Sequence, residues 1–146
     1  NTYTTCILQS LLLTVIKSRI VKKRAASPAV IQGTIQAMAE EVKKGRNFII
    51  FPEGTRSRQG NHTLEFNGGS FKAAMKAKCP IVPCALIDSF IPFDENSIRR
   101  VTVKIFYLKP MYYEEYKNMK TTQIAEEVKR RIDETIAGYT QKEPLA

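Results

Sequence analysis

The chain has 146 residues, enough for one domain with a real core and too few to divide comfortably between two. Its 43% hydrophobic and 25% charged content is that of a soluble globular domain, which excludes fibrous and low-complexity classes. Lys and Arg outnumber Asp and Glu by 23 to 14, and the formal charge of +9 favours an anionic partner: phosphate ligands, an acidic lipid surface or nucleic acid.

The chain opens at Asn1 rather than Met, so a missing amino terminus is expected. Cys6 to Ile16 is mostly apolar, yet about eleven residues fall short of a bilayer core of ~30 Å. The run reads as a core helix or strand, or as a helix lying on a membrane surface. Lys17, Arg19, Lys22, Lys23 and Arg24 follow with no acid among them. They form a solvated face or a contact for anionic headgroups. Because the basic cluster follows the apolar run, a signal peptide fits poorly. Cys6, Cys79 and Cys84 are odd in number and lack a Cys-x-x-Cys, so reduced thiols are expected rather than a disulfide framework or a zinc site.

Ser27-Pro28 starts a helix, with Ser as N-cap and Pro at the first helical position. Ile31, Ile35, Met38, Ala39 and Val42 recur at helical spacing, and Gly45 supplies the stop. Asn47 to Phe51 then reads as a buried strand. A long polar loop follows, from Pro52 to about Gly69, of a length that is usually functional or disordered. Leu64 and Phe66 are its expected anchors. Gly68-Gly69 permits close backbone approach or a positive φ. Ser70 is the expected cap of a helix containing Ala73, Ala74 and Ala77. Residues 81–87 form a second strand, with Pro83 at an edge, a bulge or the strand's start. Residues 101–108 form a third, with Val101, Val103, Ile105 and Tyr107 on one face and Thr102, Lys104 and Phe106 on the other. Thr121 or Thr122 caps a last helix carrying Ile124, Val128, Ile132 and Ile136, which Gly138 stops. Residues 142–146 are read as a frayed tail. Helix, turn, strand and loop in this order are the αβ half of a crossover unit, the pattern of an α/β fold.

The chemistry concentrates in Phe51-Pro52-Glu53-Gly54-Thr55-Arg56-Ser57-Arg58, a strand-to-loop junction of the kind that carries sites in α/β folds. Its guanidiniums match phosphate oxygens, and Thr, Ser and a Gly-loosened backbone add donors. The octapeptide reads either as an anion site or as a tight turn stabilised by a Glu53–Arg56 ion pair. Lys72, Lys76 and Lys78 push toward the anion site. Neither a nucleotide P-loop nor a dinucleotide Gly-x-Gly-x-x-Gly occurs, and the one histidine, His62, lies in a polar loop and reads as a surface residue. Asn61-His62-Thr63 fits a glycosylation acceptor by chance. Aromatics are not interleaved with the basic cluster, so nucleic acid is not the expected partner.

The octapeptide resembles the phosphate-binding motif of the glycerolipid acyltransferases. Leu64 to Ala74 is similar to that family's Phe-x-x-Gly-x-Phe-x-x-Ala segment, and Ala77 to Cys84 to its small-x-x-Pro-Ile-x-Pro block. The likeness spans about residues 28–137 of a single domain portion, while residues 1–24 match poorly. It implies a glycerol-3-phosphate acyltransferase-like α/β fold, a mostly parallel central sheet flanked by helices and incomplete at its amino terminus, at the cytoplasmic face of a membrane and peripherally held. Such a truncated sheet is expected to be marginally stable or to self-associate through its exposed edge. It also implies transfer of an acyl group from acyl-CoA or acyl-carrier protein to lysophosphatidate, with no cofactor beyond that donor. Carried onto this chain, Arg56 contacts the acceptor's phosphate, and Gly54 and Thr55 shape the loop and offer amide donors. Glu53 orients Arg56 or bonds the glycerol, and Arg58 is a second cation. Arg24 is the candidate for the Arg of the family's second block. The family's His-x-x-x-x-Asp, the general base and its partner, is not found: no His precedes position 62, and Asn67 stands five residues after His62. The chain alone is therefore expected to be inactive. The alternative is a non-catalytic basic α/β module that binds anionic lipid.

Overall fold

Residues 28–94 and 100–142 are described in a computed structural model, which divides into two compact units, 1–50 and 51–146. In the first, helix α1 (Pro28–Lys43) starts at its proline, where a missing N–H costs nothing. Ala39 is buried, and Ile35, Met38 and Val42 are half-buried on the same side. Gly45 stops the helix at φ 86°, its N–H donating to Val42 O at 2.9 Å. Glu41 then accepts from Lys44 at 3.0 Å and Arg46 at 2.5 Å.

Residues 47–51, expected as a strand, are not paired as one. A strand is fixed by its ladder, and no neighbour pairs with this run among the described residues. Ile49 and Phe51 accordingly stand 56% and 68% exposed, although their apolar character suggested burial.

The second unit is built on β1 (Cys84–Ile87), β2 (Lys104–Tyr107) and the long helix α5 (Thr121–Lys142). A 3-10 turn (Gly68–Phe71) and α2 (Lys72–Ala77) precede β1, α3 (Ile91–Asp94) lies between the strands, and α4 (Tyr113–Tyr116) lies between β2 and α5. The α/β class therefore holds. The described strand pair is antiparallel, with Cys84 opposite Tyr107 and Ile87 opposite Lys104. Both strands are shorter than expected, because pairing thins to one bridge beyond them. There Ile81 and Met111 exchange backbone hydrogen bonds of 2.9 and 2.8 Å. Pro83 directly precedes β1 and gives its carbonyl to Leu108 N–H at 3.0 Å, so its missing donor falls at the strand's start.

Cross-strand partners share a face. Ala85 and Ile87 therefore lie with Phe106 and Lys104, and both β1 residues are fully buried. On α5, Ile124, Val128 and Ile132 recur at helical spacing and join Phe71, Ala85, Met111 and Tyr116 in one core. Tyr116 Oη donates to Cys79 O at 2.5 Å, so its polar end is satisfied inside that core. Burial first, and the neighbouring Cys79 and Tyr113 second, push its hydroxyl up to about 12. Cys79 and Cys84 are free thiols, each raised by burial.

Three local expectations are corrected. Ser70 does not cap α2: Asn67 caps the preceding 3-10 turn, its Oδ1 accepting from Gly69 N–H at 2.8 Å. Neither Thr121 nor Thr122 caps α5. Lys120 holds the cap position, with its carbonyl taken by Ile124 N–H at 3.0 Å and its N–H given to Gln123 Oε1 at 2.7 Å. Gly138 does not stop α5. A helical glycine costs only about 1 kcal/mol, and the next residue, Tyr139, packs its ring 5.9 Å from Phe106 and under Lys104 at 4.5 Å. Lys142 thus ends a helix, and residues 143–146 lie outside the described residues.

Candidate phosphate-binding loop

Phe51 to Gly54 forms a tight turn closed by Gly54 N–H donating to Phe51 O at 3.1 Å. Pro52 sits at its first corner, where a fixed φ suits a turn. Gly54 follows at φ 68°, a left-handed conformation that a side chain resists. Arg58 at φ 53° and Gly60 at φ 65° are left-handed as well, so the chain doubles back twice within seven residues. The Arg58 backbone carries a cost of roughly 1 kcal/mol. Asn67 N–H donates to Pro52 O at 2.9 Å and closes the loop at its base.

Glu53 lies inside this closure. Its Oε2 accepts from Leu64 N–H at 3.1 Å, which ties the octapeptide to the returning limb of the loop. Thr55, Arg56 and Arg58 are exposed, and Ser57 Oγ accepts from Gln59 N–H at 3.4 Å. One of the amides expected to face a ligand, that of Gly54, is taken by the turn itself. Thr55 and both arginines thus lie on the exposed side of the loop, an arrangement that suits a phosphate held at the surface. Arg24 lies outside the described residues. Of the expected flanking lysines, Lys72 and Lys76 are exposed on α2. Lys78, left-handed at φ 55°, reaches over the Tyr113 ring at 5.6 Å.

Sequence reasoning misses what holds the loop. Thr63 Oγ1 donates to Asp133 Oδ1 of α5 at 2.5 Å, and Lys129 Nζ donates to Asp133 Oδ2 at 2.8 Å. The Asp133 carboxylate, opposed by burial and aided by Glu65 and Glu53, holds the Lys129 ammonium above its ordinary range. Asn61 and Asp88 form a reciprocal pair, Asn61 Nδ2 to Asp88 Oδ1 at 3.0 Å and Asp88 N–H to Asn61 Oδ1 at 2.8 Å. Phe66 packs on the core and serves as the expected anchor. Gly68 comes so close to α5 that an added Cβ would stand 3.0 Å from the Thr121 backbone, which selects close approach over positive φ. Asn61, His62 and Thr63 face Lys129, Asp133 and Ile136 across an open groove of about 530 Å³. No octapeptide residue lines it; the candidate loop lies at the surface, outside this groove.

A family model described as Acyltransferase matches residues 3–87. The match begins well before residue 28, where the blocks visible in the sequence start. The chain is 33% identical over 107 residues to a 1-acyl-sn-glycerol-3-phosphate acyltransferase of Cocos nucifera, covering 70% of this chain and 34% of that protein. It is 33% identical over 110 residues to the enzyme of that name from Salmonella typhimurium, covering 75% and 44%. The crystal structure of the 1-acyl-sn-glycerophosphate (LPA) acyltransferase PlsC from Thermotoga maritima superposes with a TM-score of 0.57 at 27% identity, over 71% of this chain and 44% of that one. The chain thus spans between a third and a half of the length of these relatives.

Proposed function

The chain belongs to the acyltransferase family, and from that membership we propose that it holds the acceptor end of a lysophosphatidate acyltransferase reaction. In that reaction the acceptor's free hydroxyl attacks the thioester carbonyl of acyl-CoA or acyl-carrier protein. A C–O bond forms, the C–S bond breaks, and the hydroxyl proton passes through a general base to the departing thiol. No cofactor beyond the donor is needed. Arg56 and Thr55 engage the acceptor's phosphate, Arg58 adds charge, and Glu53 fixes the turn they stand on. The general base and its aspartate are not among these 146 residues, whose one histidine is followed five positions on by Asn67. The +9 charge supports work at an anionic membrane surface, peripherally and on the cytoplasmic face. Among the described residues no helix is long and apolar enough to cross a membrane. Self-association through the exposed edge of the sheet belongs to the same reading, and sedimentation at rising concentration tests it.

The observation that carries the proposal is the turned octapeptide, its Glu53 tied inward and its Thr55, Arg56 and Arg58 exposed. The test is calorimetric titration of the chain with monomeric lysophosphatidate, with glycerol 3-phosphate as competitor. Arg56→Ala is expected to weaken binding about tenfold or more, the loss of one strong charge-assisted contact. Equal affinity of wild type and Arg56→Ala, or equal affinity for a lysophospholipid without a terminal phosphate, would overturn it.

A further inference from the structure

Apart from Phe66, which packs on the core, the loop between Pro52 and Asn67 is held by hydrogen bonds, since the exposed residues at its tip bury little apolar surface. Its links form a continuous path from α5 to the octapeptide. Lys129, one helical turn before Asp133, engages Oδ2 at 2.8 Å and so fixes that carboxylate. The other oxygen accepts from the Thr63 hydroxyl at 2.5 Å, a short bond to a charged acceptor. Leu64, the next residue, gives its N–H to Glu53 at 3.1 Å. Glu53 in turn sits in the Phe51–Gly54 turn, three residues before Arg56.

We propose that Thr63 and Asp133 are positioning residues for the acceptor phosphate, setting from the last helix the direction in which Arg56 is presented. They touch no ligand and act through Leu64 and Glu53. This rests on the reading of Arg56 as the phosphate contact. The hydroxyl at position 63 is what links the loop to the Asp133 oxygen that Lys129 does not engage. Valine has nearly the shape of threonine but cannot donate.

The test uses the whole chain and monomeric lysophosphatidate, titrated well below the melting transition of each variant. Thr63→Val and Asp133→Ala are each expected to weaken binding about tenfold, Thr63→Ser to restore it to within about twofold, and the double variant to be no weaker than the worse single one. Amide exchange at Leu64 is expected to quicken in Thr63→Val and to return toward wild type in Thr63→Ser, with the core amides of α5 unchanged. That local signature separates positioning from general loss of structure. Should Asp133→Ala fail to fold, Asp133→Asn, which retains an acceptor oxygen, is expected to bind within about threefold of wild type. Wild-type affinity in Thr63→Val while Arg56→Ala loses binding overturns the positioning role and leaves the proposed function standing. Additive losses in the double variant overturn it too. No binding by the wild-type chain overturns both.

Discussion

Glu53 Oε2 accepts a hydrogen bond from the backbone of Leu64, eleven residues on, at 3.1 Å. The carboxylate of the octapeptide is therefore part of the loop's own framework. Glu53→Ala leaves the partly buried Leu64 N–H without that acceptor and is expected to cost about 1–2 kcal/mol, whereas Glu53→Gln retains an oxygen and costs less. Urea melts of the two variants, with exchange at the Leu64 amide, check this. Equal stability of both variants and wild type would show the tie to be incidental.

Two glycines are expected to respond in opposite directions. At Gly68 an added Cβ would lie 3.0 Å from the Thr121 carbonyl and the Thr122 nitrogen, both backbone. Gly68→Ala is expected to destabilise by about 1–3 kcal/mol through overpacking against the start of α5. Gly33, in the interior of α1, has nothing within 4 Å of its Cβ position. Gly33→Ala is expected to stabilise that helix by about 0.5–1 kcal/mol. Circular dichroism melts separate the two.

Tyr116 predicts the alkaline limit. Its hydroxyl, ordinarily near 10, is pushed up to about 12 by burial, so folding favours the protonated form. Between those values the unfolded chain has lost its proton while the folded one retains it, and stability falls as pH rises. The contribution is complete below pH 10 and lost through pH 12. Tyr116→Phe is expected to flatten that decline while costing about 1–2 kcal/mol at neutral pH, since Cys79 O and Ala74 O lose their donor. An unchanged slope from pH 10 to 12 would contradict it.

Glu127 sets the acid side. Hydrogen bonds first from Arg130 and then from Arg131 lower its carboxyl to about 2, against an ordinary 4.5. Folding therefore favours the ionised form, and the stabilisation is present above pH 4.5 and lost as pH falls toward 2. Glu127→Gln is expected to make stability less dependent on pH across that window. Added salt narrows the difference, because the cluster is partly exposed and screened.

Much of this was legible in the residues because the physics is local. Pro28, the 3.6-residue recurrence of Ile35, Met38, Ala39 and Val42, and Gly45 delimit α1 with no tertiary information. The alternation in 101–108 assigns Lys104 and Phe106 to one face, as the register shows. The octapeptide is contiguous, so its donors are visible together. What the residues conceal is partnership. Asn47 to Phe51 has a strand's composition, but a ladder needs a second strand. Tyr113–Tyr116 is a single helical turn, too short for any period to appear. Gly138 looks like a stop until Tyr139 is seen packed on Phe106. The ties that hold the loop join residues 11, 27 and 70 positions apart, and nothing near Thr63 points to Asp133.

That 70-residue separation also orders events in time. A nascent chain emerging at ~5–20 residues per second exposes the octapeptide several seconds before Asp133 exists to hold it. Until α5 docks, the loop rests on its nearer ties, Glu53 to Leu64 and Asn61 to Asp88, and contacts as distant as Thr63 to Asp133 form slowly because the intervening chain must first be closed. The tie between Thr63 and Asp133 is therefore made late, and any lesion that delays the docking of α5 postpones it.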